Sequence, residues 1–378
     1  MDFRLNKEDQ LIQKMAKDFA EKTVAPIAKQ IHETNEVPMK VLKEMGELGL
    51  FGISIEEKYG GGGTGFEKMV LALEQIARVS TGLGTIMGVH TMAVCAINFF
   101  APQPLKDEYL PKLAKGELFG AFAFTEPGTG SDPKQITTTA IKNGDFYVIN
   151  GTKRFISSPN LQGPMVVFAR ESETQEVTAF LIDKFCEGYS TSQPWSKIGY
   201  HGSHLCDIYL KDVRVPKERI MGEVGKGFNI LLLAIATGKI GTSTVALGSI
   251  LACYEEAVKY AKEKMHRNAP IAKFQAIQLK IARIATLYRT ASLLCYQLGQ
   301  NANDIKDPNW FAKEAALVKG YVSDVNVQAA QLAMDVHGSY GLMDDYDICR
   351  YYGDAIIAPQ IEGVSDMQRI ILASSILK

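Results

Sequence analysis

The sequence predicts an α+β fold in three consecutive zones: helical, then β, then helical again. Two observations carry this. The hydrophobic period is helical through residues 1–118, gives way to short β-rich runs over 119–224, and returns to longer helical stretches over 225–378. Gly, Pro and Asn punctuate the changes of period. In the first zone, Leu11, Met15, Phe19, Lys22 and Pro26 mark one helix and its end, and Val41, Met45 and Leu48 mark the apolar stripe of a second. Val70, Leu73, Ile76 and Ala77 mark a third, and Gly60 to Gly63 read as a flexible connection before it. In the second zone, Phe146-Tyr147-Val148-Ile149, Pro164 to Phe168 and Thr178 to Ile182 are rich in β formers, so a domain of antiparallel strands is expected. Asn143-Gly144 and Asn150-Gly151 read as hairpin turns. In the third zone, Ile277, Ile281, Ile284, Tyr288, Ala291, Cys295 and Leu298 step by four and three, the seam of a bundle helix. Asp307-Pro308 suits the start of the next helix.

A chain of 378 residues calls for two or three domains. With a formal net charge of −1, it has no basic excess to hold nucleic acid or an anionic membrane. The charged, amphipathic start does not read as a secretory signal. No apolar run reaches the roughly 18 residues expected of a bilayer span, so no membrane insertion is expected. Cys95, Cys186, Cys206, Cys253, Cys295 and Cys349 are scattered, which suits reduced thiols and a cytoplasmic setting.

Several motifs lead nowhere. Gly60-x-Gly62-x-x-Gly65 matches a dinucleotide fingerprint in letters, but it lies between helical segments and reads as a linker. His201-x-x-His204 has no third ligand nearby, so no metal site is expected. No G-x-S-x-G elbow supports a hydrolase. The segment from Ala123 to Asp132 (AFTEPGTGSD) is more informative: an apolar strand runs into a turn that would expose backbone N–H groups and hydroxyls to a polar ligand.

That string resembles the first signature of the acyl-CoA dehydrogenase family through Asp132, with Gln135 where the family usually has a small residue. Downstream, Asp335-x-x-Gly338-Ser339-x-Gly341-Leu342-x-x-Asp345, then Arg350 and Asp354, is similar to the family's C-terminal signature. Between and after them, in the family's order, stand Asn150 to Ser157 (NGTKRFIS), Asp212 to Pro216 (DVRVP), Gly222 to Phe228 (GEVGKGF), Pro270 to Gln275 (PIAKFQ) and Ile361-Glu362-Gly363.

The resemblance implies a helical domain, a β domain and a four-helix bundle that assembles homotetramers. It also implies FAD, an acyl-CoA substrate and electron-transfer flavoprotein as acceptor. Removing hydrogens from the α and β carbons of a thioester needs a carboxylate base on one face and the flavin on the other. Glu362 matches the base. Ser365-Asp366-Met367-Gln368 after it reads as a capping box, whose helix dipole would favour the charged carboxylate while burial opposes it. Ile361 and Gly363 flank it against the substrate, and Ser131 matches a contact to both flavin and pantetheine. Phe122, Phe124, Thr125, Gly130, Phe155 and Ser157 match flavin contacts. Val364 and Asp366 match cofactor contacts after the base. Lys264, Phe274, Asp335, Val336 and Gly338 match elements that hold the FAD of a neighbouring subunit.

The chain also departs from the family pattern. Phe155 stands for a usual Trp, and Lys264 stands where many members place an Arg on the FAD diphosphate, losing the bidentate fork. Arg267-Asn268 replaces a common Phe-Gly, Ala236 and Lys239 replace a frequent Asp and Arg, and His201 replaces a frequent Arg. Ile361 stands where medium-chain members often have Tyr, which points to a branched or alicyclic acyl group. The same fold also serves enoyl-CoA reduction and acyl-CoA oxidation by oxygen. A non-catalytic scaffold would be free to lose Glu362 and the flavin turn, and both are present.

Overall fold

Helix α1 (Lys7–Phe19) opens on a reciprocal cap in which Asn6 accepts from the Asp9 amide at 2.9 Å while its own amide donates to Asp9. The computed structural model describes residues 5–130, 132 and 135–377. Pro26 does not end the first helical run. A π-helical turn (Ala20–Val24) and a 3-10 turn (Ala25–Ile27) carry it into α2 (Ala28–Thr34), which stops at left-handed Asn35. Pro26 lies in the first turn of the 3-10 segment, where no N–H is required of it. In α3 (Met39–Glu47) Val41 and Met45 are buried, whereas Leu48 falls at the cap and is exposed. The glycine run is tied rather than flexible: Gly61, Gly62 and Gly63 donate to the carbonyls of Glu56, Gly52 and Ile55. Helices α4 (Phe66–Val79), α5 (Thr81–Phe100) and α6 (Gln103–Ala114) complete this layer.

The middle region is one eight-stranded sheet. Its strands are β1 (Ala121–Ala123), β2 (Thr139–Asn143), β3 (Phe146–Ser157), β4 (Pro164–Glu171), β5 (Val177–Asp183), β6 (Tyr189–Thr191), β7 (Leu205–Pro216) and β8 (Ile220–Met221). The order is β6-β7-β3-β2-β4-β5-β8, with β1 also on β4. The sheet is mixed, not purely antiparallel, because β1 and β2 both run parallel to β4. Since β5 pairs along β4 from Pro164 to Arg170, β1 and β2 follow one another along its other edge. The turn between β1 and β2 is therefore gripped at both ends by one strand. Asn143-Gly144 does begin a hairpin turn, with Gly144 at φ +64°. Asn150-Gly151 does not; it lies inside β3 at a bulge against β7, where Asn150 and left-handed Asp212 exchange two hydrogen bonds of 2.9 and 3.1 Å.

Helix α7 (Gly227–Glu263) follows, then a two-stranded hairpin of β9 (Met265–His266) and β10 (Ala269–Pro270). Helices α8 (Gln275–Asn301), α9 (Pro308–His337), α10 (Ile348–Ala355) and α11 (Ser365–Ile376) complete the chain. The expected seam of α8 packs inward, with Ile284, Ala291, Cys295 and Leu298 fully buried. Asp307 caps α9 by accepting from the Asn309 and Trp310 amides. Ser365 forms no capping box, because Val364 holds the cap position and Ser365 is already the first helical residue; its hydroxyl donates to Asp324, and Gln368 turns back to the Glu362 and Gly363 carbonyls. Helices α5 and α7 each contain an 18-residue window long and apolar enough to cross a membrane, which the sequence reading had not credited. Those windows are 67% and 78% buried inside the protein, as central core helices are. One hydrophobic core joins the first and last helical regions, and two more lie on the faces of the sheet.

Asp354 knots these regions together. Buried on α10, it accepts from the Thr81 hydroxyl at 2.7 Å and the Tyr200 amide at 2.6 Å. Replacing it by Ala strands two buried donors, so Asp354→Ala is expected to lose about 3 kcal/mol of stability. Chemical denaturation of the wild type and variant measures the difference.

Candidate active site

Glu362 lies in the turn between a 3-10 segment (Ala358–Gln360) and α11. Its backbone is left-handed at φ +51°, and Gly363 follows at φ +82°. A left-handed non-glycine residue costs on the order of 1 kcal/mol, so the turn must be held. Two side chains hold it: Lys319 donates to the Gly363 carbonyl at 2.7 Å, and Gln368 donates to it at 2.8 Å.

The turn faces a small cleft between α5 and α7. Thr85, Gly88 and Met92 line it from α5, Gly241 and Val245 from α7, and Tyr200, Ile361 and Glu362 complete the wall. The helices meet closely there, since a Cβ on Gly241 would lie 3.1 Å from the Gly88 Cα and one backbone would have to give. Burial pushes the Glu362 carboxyl above its ordinary range, while the Lys319 and Lys239 ammonium groups pull it back. A carboxylate so balanced in a mostly apolar cleft is suited to general-base work.

A second group lies on the sheet. Phe124 and Thr125 follow β1, and the Thr125 carbonyl accepts from the Arg154 amide at 2.8 Å. Phe155 is left-handed (φ +57°) and half-exposed, its ring 5.7 Å from the exposed ring of Trp195, and Ser157 ends the same strand half-buried. Phe122 is committed to the core, 5.0 Å from Phe168. Gly130 is exposed, and Ser131 falls outside the described residues. The segment from Ser192 to His204 joins this group to the cleft, because it carries both Trp195 and Tyr200. His201 anchors that segment: its two ring nitrogens meet the His32 and Lys197 carbonyls at 2.6 and 2.8 Å.

The turn itself is set by a buried ion pair that sequence reasoning missed. Lys153 is fully buried and donates to Glu126 at 2.7 Å and to the Phe168 carbonyl at 2.6 Å. Glu126 also accepts from both the amides and the hydroxyls of Thr137 and Thr138. These donors outweigh burial and hold the Glu126 carboxyl down at about 2. Burial draws Lys153 down to about 8, still protonated at neutral pH, so the pair is charged there. The available signal was Lys153 at an inward position of a strand.

A third group lies at one end of the bundle. Lys264 stands 4.0 Å over the Tyr340 ring, Phe274 meets His266 edge-on, and Asp335 accepts from Lys280 at 2.8 Å. Gly338 ends α9 at φ +61°, Val336 is buried, Val364 precedes α11, and exposed Asp366 pairs with Arg369. His204 meets the Asn35 carbonyl and Glu36, and among the described residues no cluster of His, Cys, Asp or Glu is arranged for a metal.

Models of the acyl-CoA dehydrogenase N-terminal, middle and C-terminal domains match residues 6–117, 121–213 and 225–377. The chain is 36% identical to the 3-(aryl)acrylate reductase of Clostridium sporogenes over 98% of its own length and 99% of that protein's. It is 35% identical to the acyl-CoA dehydrogenase of Bacillus subtilis, covering 99% of each. A chain solved in work on the electron-transferring flavoprotein of Acidaminococcus fermentans superposes over the full length of both at a TM-score of 0.97 and 33% identity. The chain belongs to the acyl-CoA dehydrogenase family, and it is an FAD-dependent oxidoreductase. The sheet group fits that cofactor: half-exposed aromatic rings for a planar ring system stand beside Thr125 and Ser157 hydroxyls, and the Ser158 hydroxyl is buried without a partner.

The low Glu126 value has a pH consequence. Its contribution to stability is complete above the unfolded carboxyl value near 4.5 and fades as pH falls toward 2. Glu126→Gln, which leaves Lys153 buried without a counter-charge, is expected to cost about 3 kcal/mol at pH 7 and to weaken FAD retention. Thermal unfolding between pH 3 and 7, with flavin content measured alongside, tests both effects.

Proposed function

We propose that this protein removes the α proton and β hydride of an acyl-CoA thioester to give the trans-2-enoyl-CoA, with Glu362 as the base. The observation that carries this is the half-buried placement of Glu362 at a largely apolar cleft, its proton affinity raised by desolvation and restrained by two lysines. The carboxylate accepts the α proton. Bound FAD would supply a hydride acceptor for the β carbon. The cleft wall of Gly88, Met92, Val245 and Ile361 excludes water and packs the acyl chain against the base. Phe124, Thr125, Phe155 and Ser157 hold the cofactor, and Lys264, Phe274, Asp335, Val336 and Gly338 serve the cofactor of a neighbouring copy. That assembly is a homotetramer through the bundle, supported by the exposed apolar side chains of Leu279, Ile370, Ile376 and Leu377.

Electron-transfer flavoprotein is the proposed electron partner, supported by the likeness to the chain from the Acidaminococcus study. A second reading has equal chemical standing: read backwards, reduced FAD would supply the hydride to the β carbon of an enoyl thioester, and Glu362 returns the proton to the α carbon. The similarity to a 3-(aryl)acrylate reductase favours testing it.

Glu362→Gln keeps the shape and removes the base. It is expected to retain bound FAD and to lose about 10³-fold in kcat, measured with a panel of acyl-CoA thioesters and a dye acceptor; unchanged turnover would remove Glu362 from the mechanism. Ile361 sets the width of the cleft beside the base, and we assign it preference for branched or alicyclic acyl groups. Ile361→Tyr is expected to lower kcat/KM for such substrates relative to straight chains by about 10-fold. An unchanged ratio argues against that assignment.

A further inference from the structure

We propose that Lys319 is a positioning residue for Glu362: it pins the catalytic turn through the Gly363 carbonyl and sets a cation beside the carboxylate. The inference rests on the reading of Glu362 as the base. Lys319 projects from the middle of α9, is fully buried, and sits in an otherwise apolar run of Ala315, Ala316, Leu317, Val318 and Val322. Burying an ammonium group costs several kcal/mol even when it is partly compensated. A structural tie alone does not account for that cost, because Gln368 already donates to the same carbonyl at 2.8 Å and also reaches the Glu362 carbonyl. Both side chains tie the same carbonyl, and what Lys319 adds beyond neutral Gln368 is charge. Its neighbours are consistent with that role. Lys319 faces Glu362, Lys239 and Asp324, and Asp324 is already engaged by Ser365 and Arg369. Glu362 faces Lys319 from α9 and Lys239 from α7, with Lys319 the stronger influence.

In the free enzyme, kcat/KM rises with pH as the base deprotonates. Removing a nearby cation raises the carboxyl's proton affinity, so the acid limb moves to higher pH. Lys319→Met keeps length and burial without charge. It is expected to shift the acid limb upward by about one pH unit while FAD content and melting temperature stay near wild type. Gln368→Leu removes a donor to the same carbonyl but no charge; it is expected to lower kcat without moving the limb. If Lys319→Met does not fold, Lys319→Gln, which keeps a donor, is expected to show the same shift. An acid limb in the folded Lys319 variant that coincides with wild type overturns the proposal, as does an equal shift in Gln368→Leu. Glu362→Gln in the same assay separates the two readings: full activity there sinks the base, whereas an inactive Glu362→Gln beside an unshifted Lys319 variant sinks only the positioning role.

Discussion

The close approach of α5 and α7 is the constraint on which the rest depends. Gly88 and Gly241 let the two helices meet almost backbone to backbone: a Cβ on Gly241 would press on the Gly88 Cα at 3.1 Å, and one on Gly88 would already be in contact with Gly241 at 3.6 Å. Both helices are apolar enough for a membrane, yet they serve as the central core. From that contact the geometry follows outward. Helix α4 packs on α7 from one side, α8 and α9 from the others, and the sheet closes over the start of α7. The cleft is the small volume left where glycines replace side chains, so its size is set by backbone geometry and its chemistry by the few residues at the rim.

A buried carboxylate and a half-buried one illustrate how environment divides roles. Glu126 accepts from four threonine donors and from a lysine, which drives it far below the usual carboxyl range. It is a fixed anion and shapes the turn that carries Phe124 and Thr125. Glu362 has cations within electrostatic reach but faces a cleft, and its proton affinity rises rather than falls. The contrast is one of hydrogen bonding: a fully satisfied carboxylate is structural, while one held near but not by its cations is free to exchange a proton.

Much of this was legible in the sequence, for identifiable reasons. Helical and strand periods record burial, so the seam of α8 and the cap at Asp307 were readable directly. Local signals misled where tertiary contacts intervened. Pro26 sits at the start of a new turn rather than the end of a helix, and Asn150-Gly151 forms a bulge because Asp212 on the partner strand completes its hydrogen bonds. Ser365 and Gln368 have the letters of a capping box, but Ser365 donates to Asp324 on α9 and Gln368 turns back to the Gly363 carbonyl in the preceding turn. Glu362 was marked by its motif, whereas Lys319, 43 positions earlier, had no local signal beyond a charge in an apolar run. Pairings of that span are created by the bundle and cannot be read from spacing.

The backbone at Glu362 ties these threads together. A left-handed glutamate followed by a left-handed glycine is an unfavourable turn, and α11 has no side-chain cap to begin it. Two side-chain donors hold the turn from outside it: Gln368 from within α11 and Lys319 from α9 both donate to the Gly363 carbonyl. The fold thus gives up a helix cap worth about 1 kcal/mol and accepts a strained residue in order to aim a carboxylate into the cleft. That exchange is the one the proposed general base requires, because there the direction of the carboxylate matters more than local stability.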